Sequence, residues 1–183
     1  MSQDYEAYMN LPDNRLSLDD PRWSELECRS GSAAHVPEQL RYLLAHPEDL
    51  DELTDLLPYL CSEGTAWSSA YASAPYLIDI AKELPPRDLL RAVFHFGLCE
   101  IDGVEERDCP AYLLDAYHQA VTNALSLAST LVTCEFRGKD TLHLVAAIAA
   151  LQGFPRLGDS IERLNCVCPH CFGELLPEND SYW

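Results

Sequence analysis

An all-α fold of about seven helices, stacked as antiparallel hairpins, is predicted by three observations. Apolar residues recur at helical spacing from Val36 to about Leu164. No run alternates apolar and polar residues convincingly enough to read as a strand. The helical segments fall into pairs, 36–46 with 48–62, 65–84 with 87–101 and 110–134 with 140–152, at a period of 30 to 45 residues. Identity between the pairs is poor, so an ordinary all-α bundle is the competing architecture.

Each element has its own signal. Residues 1–34 are polar and carry Pro12, Pro21 and Gly31, which reads as a loosely structured lead-in with one short helix. Its scattered apolar side chains, among them Leu16, Leu18, Trp23 and Leu26, are candidates to dock on a core. In "VPEQLRYLLAH", Leu40, Leu43 and Leu44 share one side and Pro37 suits a first helical turn. "PEDLDELTDLLPYLCSE" places Leu50, Leu53, Leu56, Leu57 and Leu60 on one face, with Asp49, Asp51, Glu52 and Asp55 between them. Acids at its start suit the positive end of the helix dipole, and Gly64 is expected to close the element.

From Thr65 to Leu84, Ala66, Ala70, Ala74, Leu77, Ile80, Ala81 and Leu84 fall near one face. Small side chains there let a neighbouring backbone come close, and Pro75 is expected to kink or divide the helix. The proline pair 85–86 opens the next helix, and "DGVEERDCP" is an acidic turn. Pro110 is expected to start a long helix ending near Cys134, and "TLHLVAAIAALQGF" a further one, capped near Asp140 or Thr141 and ended at Gly153. "LGDSIERL" adds a short helix. A hairpin is expected only in the last 18 residues, around the cysteines. The chain thus divides into a lead-in (1–34), a helical repeat domain (35–164) and a Cys-containing tail (165–183).

Composition narrows function. A chain of 183 residues with 48% hydrophobic content sustains a core as one domain or one continuous stack. Thirty acidic residues against 12 basic ones give a formal charge of −18, which repels phosphate backbones and argues against nucleic-acid binding. The same field attracts basic partners and speeds encounter; alternatively it only maintains solubility. The N-terminus has no basic start followed by an apolar stretch, and the longest uncharged run, 116–134, holds His, Gln, Asn, Ser and Thr. Neither a secretory signal nor a membrane span is expected. Eight cysteines in that setting suggest reduced thiols in a cytoplasm.

"LCSEGTAWSSAYASAPYLIDIA" combines a Gly-Thr turn, an aromatic, small residues, then Ala-Pro-aromatic-Leu and an apolar tail. With "AAIAALQGFPRLGDSIERL" and the following "CPHC", it resembles HEAT-like helical-repeat proteins of bacteria. The likeness covers 50–101 and 140–175. The resemblance implies a helical solenoid or superhelix. Some similar small acidic helical proteins are immunity proteins that neutralise toxins in bacterial competition, so it also implies a cognate toxin as partner.

"CVCPHC" offers Cys166, Cys168 and Cys171. The two-residue gap between Cys168 and Cys171 allows two thiolates to share one structural zinc, with Cys166, His170, Cys134 or another residue completing four ligands. No second C-x-x-C is present, so inert free thiols are the competing reading. A thioredoxin-like redox role is disfavoured because the motif follows an all-helical chain. His95 and Cys99 stand four apart on one helix, where a pair can bind metal or simply be core. The sequence lacks G-x-S-x-G, P-loop, G-x-G-x-x-G and H-E-x-x-H patterns. No catalytic set is therefore named. The candidate partner-binding residues are Asp49, Asp51, Glu52, Asp55 and Glu63 on one side and Asp102, Glu105, Glu106 and Asp108 in the acidic turn, with solvated surface the competing reading, and Trp67, Tyr71 and Tyr76 as aromatic anchors where exposed, with core the competing reading at helical spacing. The leading expectation is a non-catalytic immunity protein that covers a toxin's active site. A scaffold or adaptor is the alternative, and a zinc-dependent or thiol enzyme the less favoured one.

Overall fold

A computed structural model describes residues 14–62, 64–103 and 109–164. Seven α-helices lie among them: α1 (Val36–Ala45), α2 (Leu50–Leu60), α3 (Ser68–Ala81), α4 (Pro86–Asp102), α5 (Leu114–Leu131), α6 (Lys139–Leu151) and α7 (Pro155–Glu162). Two antiparallel hairpins of two-residue strands punctuate the chain, β1 (Glu27–Cys28) with β2 (Gly31–Ser32), and β3 (Cys61–Ser62) with β4 (Thr65–Ala66). The fold is all-α. Among the described residues no helix is long and apolar enough to cross a membrane.

The centre is built from α3 and α4. Every residue of α3 except Ser68, Pro75 and Asp79 is buried. It lies against α1 and α5 as well as α4, which leaves space for little more than Ala and Ser between its tyrosines and isoleucines. Helix α4 packs on α5, α6 and α7 and under the β3–β4 hairpin. An added Cβ at Gly97 would stand 2.7 Å from the Ala147 Cα, so the α4 and α6 backbones meet where one of them has no side chain. Gly158 plays the same part between α7 and α6, with the Ala146 carbonyl oxygen 2.8 Å from where its Cβ would be. Helix α5 shows the surface pattern, burying Tyr117, Ala120, Ala124, Ala128 and Leu131 at intervals of three and four. Packing runs from α1 to α3, α3 to α5 and α4 to α6 as well as between successive helices.

Several expectations are corrected. Pro75 neither divides nor ends α3, because burial on nearly every side holds the helix through the missing hydrogen bond. The helix predicted from Pro110 begins at Leu114, after a 3-10 turn over Ala111–Leu113. Leu44 faces outward, at 39% exposure, whereas Leu40 and Leu43 are core. Gly64 does not cap α2. That helix stops at Leu60 as Cys61 turns extended, and Gly64, at φ +80°, makes the hairpin turn behind it. Residues 14–34 are not loose. Leu16, Trp23, Leu26 and Cys28 are buried; the Trp23 indole donates to the Ser17 carbonyl at 2.9 Å, and the Glu27 amide donates to Ser68 Oγ at 2.8 Å. Arg15 pairs with Asp79 at 2.7 Å and lies over the Tyr76 ring.

Candidate functional site

Two places gather chemistry-bearing residues, one on the outside of α2 and one inside, where the ends of α2 and α4 meet.

On the outside, Asp49 caps α2, its carboxylate accepting the Glu52 amide at 3.1 Å and the Tyr42 hydroxyl at 2.8 Å. The Glu52 amide comes first among the bonds that hold its pKa below the ordinary value, followed by the Tyr42 hydroxyl. Glu52 is partly buried and accepts from Gln39 Nε2 at 3.0 Å, tying α2 to α1. Glu48, Asp51 and Asp55 are exposed. Asp55 lines an open groove of about 430 Å³ with Arg29, Ser30, Thr54, Pro58 and Tyr59. The groove exists because the Arg29 amide donates to the Tyr59 carbonyl at 2.9 Å, which seats the β1–β2 hairpin against the end of α2.

The aromatic anchors divide. Trp67 is partly exposed just before α3, its amide held by the Leu60 carbonyl at 3.1 Å. Tyr71 is 1% exposed and meets Tyr117 edge to face at 4.8 Å, so it is core and cannot anchor a partner. Tyr76 is also buried, its hydroxyl donating to the Leu16 carbonyl at 2.5 Å. Glu63, Glu105, Glu106 and Asp108 lie outside the described residues, as do the proposed zinc ligands Cys166, Cys168 and Cys171 and the whole tail hairpin.

The inner place is a polar chain in an otherwise apolar core. Cys61, where α2 gives way to β3, donates from Sγ to Asp102 Oδ2 at 3.5 Å. Cys99 stands one turn before Asp102 on α4 and is the neighbour that weighs most on the Cys61 thiol. Cys99 Sγ lies 3.7 Å from His95 Nε2, one turn back on α4. Two contacts are thus set along one stretch of α4, Asp102 with Cys61 and Cys99 with His95. Both thiols and the imidazole are buried, and Asp102 is half-buried under the Gly64 amide. The two thiols differ in consequence. The neighbouring Cys99, then burial and the nearby Asp102 carboxylate, push the Cys61 thiol far up. The neighbouring Cys61 and the imidazole of His95 draw Cys99 down, against burial. Burial, reinforced by Asp159, raises Asp102.

A second buried carboxylate stands beside this chain. Glu100 accepts the Tyr117 hydroxyl at 2.5 Å, joining α4 to α5. Among the described residues no group of three or more His, Cys, Asp or Glu side chains is arranged to hold a metal ion. The i, i+4 spacing revealed the His95–Cys99 half of the chain. Cys61 is far away in sequence, and Asp102 reads as part of an acidic turn, so no local signal linked them to it.

Fold and site together define an all-α acidic protein with an outward carboxylate face and two buried cysteines, one held by Asp102 and one by His95. No protein-family model, curated protein or solved structure matches this chain.

Proposed function

We propose that the protein is a non-catalytic binding protein of the immunity type, which neutralises a basic toxin domain by covering its active site with the outer face of α2. The exposed carboxylates of Asp51 and Asp55, beside a groove rimmed by Tyr59 and Arg29, carry this reading. Carboxylates held in fixed positions by a helix can take the places a toxin keeps for phosphates, pairing with its Arg and Lys through charge-assisted hydrogen bonds. The formal charge of −18 adds long-range attraction to a basic cleft. Tyr59, 40% exposed, and Trp67 supply aromatic surface at the same end of the molecule. The site of action is proposed to be the cytoplasm, where such a complex protects the cell that makes both proteins.

The test separates the docking residues from the structural ones. Glu52 holds Gln39, so it is left in place, and Asp51 and Asp55 are replaced together by Ser. The partner is obtained by co-purification on the tagged full chain, identified and produced separately. The double variant is expected to bind it at least tenfold more weakly while unfolding at the same urea concentration as the parent. Equal affinity moves the docking surface away from α2.

A further inference from the structure

We propose that an apolar stripe on the outside of α7 is the docking surface for the chain's own segment 165–183, which turns back along the helix it leaves. The inference is independent of toxin binding. Helix α7 is apolar on two sides. One side faces inward, where Gly158 lets the helix close on the Ala146 carbonyl and α7 packs on α6 and α4. The other faces outward. Phe154, Leu157 and Leu164 are 60%, 53% and 63% exposed there, and Ile161 is half-buried. Positions 154, 157, 161 and 164 recur at three and four residues, the spacing that sets side chains along one helix face. An apolar strip of this kind marks a surface that something covers. Arg156 and Arg163, seven residues apart and both exposed, stand on the adjoining face, and Arg163 pairs with Asp159 at 2.6 Å.

The segment 165–183 lies outside the described residues, and its sequence fits this surface in three ways. It is apolar at Val167, Phe172, Leu175, Leu176 and Trp183. Its charges are Glu174, Glu178 and Asp180, with no Lys or Arg, so it meets the two arginines with the opposite sign. It also begins where the stripe ends, directly after Leu164.

Reach permits the return. The stripe extends about 15 Å from Leu164 back to Phe154 at about 1.5 Å per helical residue. Residues 165–172 span up to about 26 Å when extended, so Phe172 can arrive at the far end. A tether this short keeps the segment at an effective concentration on the order of millimolar, and weak contacts then suffice to hold it. Residues 1–13 also lie outside the described residues, but they join the fold at Asn14, next to the Arg15–Asp79 pair on α3. Proximity therefore favours 165–183.

A photo-crosslinker on the stripe identifies the occupant. Leu157→p-benzoylphenylalanine keeps an apolar group at an exposed position of the full chain, and circular dichroism checks its folding. The folded protein is irradiated and the linked peptides are mapped by mass spectrometry. The expected product is an intrachain link from position 157 to a residue within 165–183. Its yield is expected to fall at least fivefold when Phe172→Ser, Leu175→Ser and Leu176→Ser are combined, and at least twofold with Arg156→Glu. The proposal is overturned by a link to a second copy of the chain, by a link to residues 1–13, or by no link at all. An unchanged yield in the triple variant also overturns it, because the contact is then random collision of a tethered segment. Should the variant at 157 not fold, Leu164→p-benzoylphenylalanine decides by the same outcomes.

Discussion

Helix α2 and helix α4 both carry carboxylates at their ends and use them in opposite ways. On α2 Asp51 and Asp55 stand in water, near the positive end of the helix dipole, while Asp49 caps the helix and Glu52 ties it to α1. On α4 the last turn takes Glu100 and Asp102 inward. There each is matched with a donor, the Tyr117 hydroxyl for one and the Cys61 thiol for the other. The number of helices around each explains the difference. Helix α2 rests on α1 and the edge of the core, whereas α4 is surrounded by α3, α5, α6, α7 and a hairpin. Acidity on an outer helix is available for contact; on a central helix it is part of the packing and must be satisfied internally.

The sharpest way to break this contrast is at the closest approach. Gly97→Leu forces α4 away from the Ala147 backbone and is expected to cost about 3 kcal/mol or more in urea unfolding. A smaller change tests the internal acid: Tyr117→Phe removes the hydroxyl that the buried Glu100 accepts, at a cost of about 1–3 kcal/mol. Restoring stability with Glu100→Gln in that background would show that charge, rather than shape, sets the penalty. Smaller still is the effect of a buried hydroxyl. Ser73 Oγ has no hydrogen-bond partner among the described residues, so Ser73→Ala on α3 is expected to be neutral or to stabilise by up to about 1 kcal/mol.

The pH response belongs to the same packed side. His143 on α6 stacks on Phe94 of α4 with ring centroids 4.1 Å apart. Burial holds its pKa below the usual value of 6.5, opposed by Asp140 and assisted by Lys139. The unfolded chain then takes up the proton first as pH falls. Stability is full above 6.5 and declines from there down to the depressed folded value. His143→Gln is expected to flatten that decline in thermal melts taken between about pH 7 and pH 5. At the bottom of the scale, Asp51→Ser with Asp55→Ser should leave unfolding within about 0.5 kcal/mol of the parent.

Sequence periodicity was enough to place all seven helices, because each buries a stripe or more of apolar residues. Boundaries were off wherever a 3-10 turn or an extended residue took over, as at Pro110 and Cys61. The hairpins at Glu27–Ser32 and Cys61–Ala66 were missed because strands of two residues are too short to alternate. The small residues of "SSAYASAP" predict a nesting surface; α3 is enclosed, but the glycines that let backbones meet are Gly97 and Gly158 on other helices. The acids of α2 are visible as candidates, while Tyr71 reads equally as anchor or as core, because a core aromatic and an exposed one share the same spacing, and burial at 1% exposure makes it core. The inner site depends on bringing Cys61 to Asp102, a tertiary contact that no local pattern encodes.

The claim that the outer face of α2 acts by charge-steered contact is tested most directly by the association rate with the co-purified partner. It should be measured for the parent and for the Asp51→Ser, Asp55→Ser variant between about 50 and about 500 mM salt. The parent rate should fall tenfold or more across that range, and the variant should start lower and fall less. Identical salt slopes for the two, or rates that do not change with salt, would contradict the account.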